Sequence, residues 1–401
     1  MRAGCHDAPV PEISRADARR FLVSHLGLAR FAAGPRDEAI RAMLARLRCV
    51  QLDPLDAIGQ NADLVAIARV KGARRGDTHA ALYPGHAFEH FAKERCLLPA
   101  SAFPWYRDRA VETPWWRHSE RMKKLDAGLV EAVLEEVRER GPISARALEH
   151  RGGVEPMDWA GWKGTSSATK LALEVLWTRC RVVVAGRARA AERARAARDK
   201  LYDVPERALP SVAAVDATGD FARWALVERV EASGLLSRAS GPWWSMLADE
   251  RTGALPDALV AEAAIEAVTI EGVPRRYLAP AGFRERAVAK PDRAMRILGP
   301  LDPLLWDRAL VRDVFGFDYV WEVYKPASER RFGWYVCPLL HRGELVGRIE
   351  ARIDDGALVV DRLWREEARK LDEDALDDAL ARHARACGVE TVKRGRGARR
   401  R

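Results

Sequence analysis

Between Cys49 and Pro54 the chain reads Cys49-Val50-Gln51-Leu52-Asp53-Pro54. A proline restricts the residue before it to extended backbone. In extended backbone, side chains alternate in direction. Gln51 and Asp53 then point the same way with Leu52 opposite, whereas an i, i+2 pair on a helix shares no face. A carboxylate beside a primary amide is a set with chemical use. The carboxylate can stabilise a developing cation and take a proton from water, while the amide holds that water in line. A second reading fits the same residues. Asp53 is a good helix N-cap, Pro54 suits the first helical position, and Asp56 favours the positive helix end. Leu301-Asp302-Pro303 repeats the triplet, so Leu-Asp-Pro also serves this chain as an ordinary helix starter. The two readings are compatible, because a capping aspartate can still face solvent.

Other chemistry is sparse. The sequence has no GxxxxGK[ST] loop, no HExxH, no GxSxG and no zinc-deaminase signature. His79, His86 and His90 lack ligand spacing apart from the i, i+4 pair His86/His90, and surface or core placement is the default. Cys5, Cys49, Cys96, Cys180, Cys337 and Cys387 form no CxxC pair. Reduced core cysteines in a cytosolic protein are expected, with no metal and no cofactor. Trp243-Trp244 reads as core. The run Arg187 to Arg198 is either a basic insertion facing phosphates or a solvated basic face.

The elements that must position these residues follow from periodicity. Ser14 caps an N-terminal helix with Asp17 answering at N3. Ile40, Met43, Leu44 and Leu47 mark a second helix over 36–50, and a third is predicted from Pro54 towards Val70. Phe88 and Phe91 suggest a further helix over 87–96, ended by Leu97-Leu98-Pro99. Residues 104–119 read as a connector. Next come a helix ended by Gly141-Pro142, a short helix from Ser144, a helix over 168–179, and a hairpin entered at Val182 and left at Lys200-Leu201-Tyr202. Helices followed by a basic hairpin is the winged-helix order. An echo follows: a helix closed near Gly234, a helix over 257–266, and a hairpin through Gly272 to Tyr277. After about Met295 the period becomes that of strands, at 319–324, 331–338, 344–353 and 357–364, suggesting a small antiparallel barrel or curled sheet. A helix over 371–387 and a basic, disordered tail complete the chain.

The 401 residues carry a formal net charge of +9. A basic excess favours polyanions, nucleic acid first, although an Arg- and Ala-rich composition also arises without DNA binding. No apolar run approaches the roughly 18–20 residues of a membrane span, and the N-terminal residues lack the apolar stretch of a secretory signal.

The sequence also resembles a known family: the winged-helix DNA glycosylases of the YcaQ/AlkZ type, which repair interstrand crosslinks. The likeness spans roughly residues 14–390. It is carried by Gly299-Pro300-Leu301-Asp302-Pro303-Leu304-Leu305-Trp306-Asp307-Arg308, Phe315-Gly316-Phe317-Asp318-Tyr319, Glu322-Val323-Tyr324, Gly333 to Leu340, and Val346-Gly347-Arg348. Tyr202 to Arg207 and Phe88 to Glu94 with Leu97-Leu98-Pro99 add to it. The family's catalytic signature is glutamine, an apolar residue, then aspartate or glutamine. Here it is Gln51-Leu52-Asp53. The resemblance implies an α+β chain of tandem winged-helix modules with a C-terminal small antiparallel β-barrel. The modules are expected at 14–125 (with the catalytic triplet), 126–212 and 213–292, the barrel at 293–390 and the tail at 391–401. One departure stands out. Many members have a histidine-rich helix after the triplet, and here the stretch is Gly59-Gln60-Asn61-Ala62-Asp63-Leu64-Val65.

The implied activity is monofunctional, metal-independent hydrolysis of the N-glycosidic bond of alkylated bases of the N7-alkylguanine type, extending to crosslinked bases. An N7-alkylated guanine is cationic and leaves without a general acid. What remains is to stabilise an oxocarbenium-like sugar and deliver water. Asp53 takes the first task and activates water; Gln51 positions it. Lys170, Arg187 and the turn His341-Arg342-Gly343 are the candidate DNA contacts, the turn being equally readable as a plain hairpin tip. The expected partner is double-stranded DNA carrying alkylation or crosslink damage. The protein is expected to act as a monomer, cytoplasmic and nucleoid-associated, without a membrane. The rival reading is a non-catalytic winged-helix DNA-binding regulator.

Overall fold

The computed structural model describes residues 10–109, 123–156, 164–188 and 199–397. In chain order, strand β1 (Glu12–Ile13) is followed by helices α1 (Arg15–His25) and α2 (Arg36–Leu47), strand β2 (Val50–Gln51), and helices α3 (Asn61–Ile67) and α4 (Asp77–Leu82). Strands β3 (Ala87–Phe91) and β4 (Arg95–Pro99) and helix α5 (Phe103–Asp108) come next. Then come α6 (Ala127–Arg140), β5 (Ile143–Ser144), α7 (Ala168–Thr178), β6 (Val183–Arg187), β7 (Lys200–Asp203) and α8 (Pro205–Ala208). The elements α9 (Phe221–Ser233), β8 (Leu236–Ser237), α10 (Leu255–Ala261), β9 (Ile265–Ile270) and β10 (Val273–Pro280) follow. The last are β11 (Arg296–Ile297), α11 (Arg308–Phe315), β12 (Val336–His341), β13 (Glu344–Asp354), β14 (Ala357–Arg365), α12 (Glu373–Ala386) and β15 (Thr391–Gly397). Contacts group the chain into two bodies. One holds the chain up to Thr78, Ala92–Glu94, and the chain from Ala222 onward; the other holds His79–Phe91 and Arg95–Phe221.

The first body contains two sheets. In the four-stranded one, of order β1-β9-β10-β8, β1 runs parallel to β9 and the other pairs are antiparallel. The five-stranded sheet has the order β11-β12-β13-β14-β15. A closed antiparallel barrel was expected here, and the sheet is open instead. Its edge strands are β11 and β15, and β15 runs parallel to β14. The reason lies in what covers the apolar face. Cys337, Leu339, Val346, Ile349, Leu358 and Val360 pack against Leu376, Ala379, Leu380 and Ala384 of α12 and against Ile58. A helix and a loop bury the sheet, so it has no need to close on itself. Residues 391–397, expected as disordered tail, pair with β14 as β15, whose backbone groups complete that edge. Residues 398–401 lie outside the described chain.

Several local expectations hold for the reasons given. Ser14 caps α1 by accepting the Asp17 N–H, and Ile40, Met43, Leu44 and Leu47 face the core from α2. Others fail. Residues 87–99 form an antiparallel hairpin instead of a helix, with every β3 residue buried. Burial on both faces erases the alternation that marks a strand. Residues after Ser144 make a turn, and 319–324 have no regular structure. The helix predicted from Pro54 begins only at Asn61, after Gly59, whose φ of 132° lies outside the helical region.

In the second body, α6, β5, α7, β6 and β7 form a helix–strand–helix–hairpin unit with sheet order β5-β7-β6. In the first body, α9, β8, α10, β9 and β10 have the same order of elements, and β8 likewise pairs with the second hairpin strand. Part of the connector, residues 110–122, and most of the basic run, residues 189–198, lie outside the described chain.

The first body is cross-tied by a buried ion pair. Arg69 donates two hydrogen bonds to Asp302, at 2.6 and 2.9 Å, and both side chains are almost wholly enclosed. The same guanidinium donates to Leu26 O (2.7 Å) and Val65 O (3.2 Å), while Asp302 accepts the Leu304 N–H. Removing one partner of such a pair leaves an uncompensated buried charge. We expect Asp302→Ala to lose about 3–5 kcal/mol of stability in urea unfolding. The double variant Arg69→Met with Asp302→Leu should lose less than either single change.

Candidate active site

Gln51 ends β2 and is almost fully buried, at 6% exposure. Its side-chain Oε1 accepts a hydrogen bond of 2.7 Å from Lys93 Nζ. Ammonium groups only donate, so this contact fixes which end of the Gln51 amide faces Lys93. The NH2 end is left as the group Gln51 can offer to a water. Two residues on, Asp53 is half-buried, and its Oδ1 accepts the Leu55 N–H at 2.9 Å. Burial raises the Asp53 carboxyl above its ordinary 3.8, opposed by the Leu55 N–H and by the charge of Lys93. Lys93 therefore bonds to Gln51 and is felt electrostatically by Asp53.

The two Leu-Asp-Pro triplets differ in kind. Asp302 has 0% exposure, pairs with Arg69 and caps the short 3-10 turn Pro303–Leu305. Asp53 caps no helix; Gln60 stands at the N-terminus of α3, and Asp56 pairs with Arg75. A half-open carboxylate bound through one backbone N–H keeps capacity for a water or a cation.

The frame around Gln51 closes on itself. Asn61 Nδ2 donates to Gln51 O (2.8 Å) and Leu301 O (3.4 Å). Leu301 O also accepts from Trp306 Nε1 at 2.8 Å, and Lys93 Nζ sits 4.8 Å over the Trp306 ring. Gly299 permits this approach, since a Cβ there would meet Asn61 Oδ1 at 3.0 Å and Leu64 at 3.1 Å. The loop after Asp53 is pinned from the C-terminal side: Ile353 N donates to Ala57 O (2.8 Å), and Ile58 O accepts from His383 Nε2 (2.8 Å). Two tyrosines are near, Tyr324 at the surface and Tyr335 in the core. The Tyr324 hydroxyl lies within electrostatic reach of Asp53 and Glu94, and the Tyr335 hydroxyl within reach of Asp53 and Asp56. Tyr324 is 78% exposed. Glu322 accepts the N–H groups of Arg331, Phe332 and Gly333.

The expected DNA contacts are scattered. Lys170 is exposed on α7. Arg187 is turned inward, ion-paired with the fully buried Glu89, which also binds Lys200 and accepts the Tyr83 hydroxyl at 3.1 Å. Burial pushes the Glu89 carboxyl up, but Lys200, Arg187 and Arg95 outweigh it and keep it ionised. Arg187 thus neutralises a buried charge within its own body. His341 is buried, with Nε2 3.1 Å from Arg293 O, whereas Arg342 and Gly343 form the β12–β13 tip, both at positive φ. Sequence reasoning missed the roles of Lys93, Asn61 and Trp306. Lys93 and Trp306 lie inside the segments that carry the family likeness, and Asn61 lies in the stretch that departs from it. Among the described residues, no three His, Cys, Asp or Glu side chains group as a metal site would need.

The fold is similar to that of a solved structure, Streptomyces sahachiroi DNA glycosylase AlkZ, with a TM-score of 0.57 at 18% identity, over 96% of this chain and 99% of that one. Residues 44–386 match the family model described as DNA glycosylase AlkZ-like, and the chain belongs to that family. DNA glycosylase activity, a hydrolysis within DNA repair with DNA as the partner, follows from this membership. Gln51, Asp53, Lys93, Asn61 and Trp306 all lie within the matched span.

Two titrations test the electrostatics. In carboxyl NMR, Asp53 should lose its proton at a pH above 3.8. Burial favours protonated Glu322, but the three N–H donors and Lys325 prevail and hold it at about 2. A depressed carboxyl stabilises the fold above its unfolded value of 4.5, and that contribution is lost as pH falls towards about 2. Glu322→Gln should therefore be less stable at neutral pH and show a weaker loss of stability across this acid window.

Proposed function

We propose that this chain is a monofunctional DNA glycosylase that hydrolyses the N-glycosidic bond of N7-alkylguanine-type lesions and accepts interstrand-crosslinked bases. The observation that carries the reading is the half-open Asp53 beside a Gln51 amide held in one orientation. An alkylated cationic base needs no general acid to leave. The sugar that remains develops positive charge, which the Asp53 carboxylate stabilises while taking the proton of an attacking water. Gln51 donates its NH2 to that water and sets its line of approach. The half-exposed Asp53 carboxylate, with the exposed Tyr324 near it, is read as a site open enough for a bulky or crosslinked base. The reaction uses no metal and no Schiff base in this reading, and it leaves an abasic site.

The two helix–strand–helix–hairpin units are read as winged-helix modules that grip duplex DNA, with the catalytic triplet on a third, N-terminal module. Lys170 and Arg342, both at the surface, are the phosphate contacts we favour. Arg187 and His341 act one step back, as supports of the elements that carry such contacts. The sheet and helix after residue 293 occupy the place of the family's barrel. The protein works as a monomer on the nucleoid in the cytoplasm; the burial of Cys49, Cys96, Cys180 and Cys337 suits thiols kept in a core.

A duplex with a single N7-methylguanine tests this reading. Wild type should release the base. Asp53→Asn and Gln51→Ala should lower the single-turnover rate by about 10²–10⁴-fold with DNA affinity retained. A soluble, DNA-binding wild type that releases no base from methylated or crosslinked duplex would remove the proposal. Affinity should fall with salt on a log–log line, and Lys170→Ala should make its slope shallower by roughly one.

A further inference from the structure

We infer that Lys93 is a positioning residue of the catalytic pair: its ammonium locks the Gln51 amide with the NH2 end free for water and stands as the fixed cation beside Asp53. The inference rests on the glycosylase reading above and deepens it. Lys93 sits at the β3–β4 tip, where Ala92 N donates to Glu94 O at 3.0 Å. Two contacts hold its head group in place. One is the 2.7 Å hydrogen bond to Gln51 Oε1, and the other is the Trp306 face 4.8 Å away. Trp306 is itself buried and fixed through Leu301 O, so the cation has a rigid seat.

Each contact has a chemical consequence. A free primary amide can turn either end to a water. A donor-only neighbour removes that choice, so the water meets N–H donors at Gln51 and a carboxylate acceptor at Asp53. This polarity orients a water to lose its proton to Asp53 and present its oxygen to the sugar. The charged and titratable groups around Asp53 are Lys93, the Tyr324 and Tyr335 hydroxyls, and, further out, Glu94 and Asp56. Among the described residues, Lys93 is the cation that acts on Asp53. Without it, the Leu55 N–H is the opposing influence that remains among the described residues, and Asp53 holds its proton to higher pH.

The experiment is single-turnover release of N7-methylguanine across pH by wild type, Lys93→Met and Lys93→Arg, with duplex affinity and thermal unfolding measured alongside. Lys93→Met should lower the plateau by about 10- to 100-fold and move the acid limb up by about one pH unit. Lys93→Arg keeps the charge and should bring the limb back to its wild-type position. If Lys93→Met does not fold, Lys93→Gln carries the same comparison. A uniform rate loss with an unmoved limb and no recovery in Lys93→Arg overturns the inference, as does a Lys93→Met rate equal to wild type. Borohydride trapping of wild type on the substrate DNA, lost in Lys93→Met, would also overturn it, by making Lys93 a nucleophile. Absence of release by wild type defeats the glycosylase reading itself, and this inference with it.

Discussion

A guanidinium and a carboxylate sealed from water hold the frame of the candidate site. Arg69 and Asp302 are more than two hundred residues apart in sequence, and their two hydrogen bonds join the end of α1, helix α3 and the segment that carries Leu301 and Trp306. Such a pair is expensive to bury, and its worth lies in geometry more than in net stability. The forked guanidinium has few ways to satisfy two carboxylate oxygens and two carbonyls at once. That restriction sets where Leu301 O stands, and Leu301 O sets Asn61 and Trp306. Those two in turn fix Gln51 from its backbone and, through Lys93, from its side chain.

The contrast between the two Leu-Asp-Pro triplets shows how one short sequence can be used for opposite ends. At 301–303 the aspartate is enclosed, doubly paired and spent on structure. At 52–54 the same triplet leads into a loop that starts no helix, so its carboxylate is left half-open. What separates them is the surroundings: a guanidinium aimed at one, and an ammonium held aside by an amide and an indole at the other. Partial burial then works in favour of chemistry, because a carboxylate short of hydration interacts more strongly with developing positive charge.

Much of this was legible before the structure. The Gln51-Leu52-Asp53-Pro54 segment was picked out by its residue types, and the backbone there is not helical. The cap at Ser14 and the stripe on α2 followed from local rules. The helix–strand–helix–hairpin order around α6 to β7 was readable in outline, although the short element after Ser144 is a turn. The hairpin at 87–99 was not legible, because residues buried on both faces carry no alternation. Nor was the open sheet, since strand periodicity does not say whether a helix or the sheet itself will cover the apolar face. Lys93, Asn61 and Trp306 escaped for a different reason. Their contacts are tertiary: Lys93 reaches Gln51 from 42 residues away, Trp306 acts through Lys93 and Leu301 O, and Asn61 binds a backbone carbonyl, for which no spacing rule exists.

The pinning of the loop after Asp53 by Ile353 and His383 has a consequence for synthesis. A ribosome delivers Gln51 and Asp53 early, yet the groups that hold their loop come much later, Ile353 with β13 and His383 with α12. Until α12 is made, Ile58 O lacks the His383 ring, and its apolar cluster lacks Leu376, Ala379, Leu380 and Ala384. A nascent or truncated chain that ends before α12 therefore carries Gln51 and Asp53 on a loop that lacks its His383 anchor.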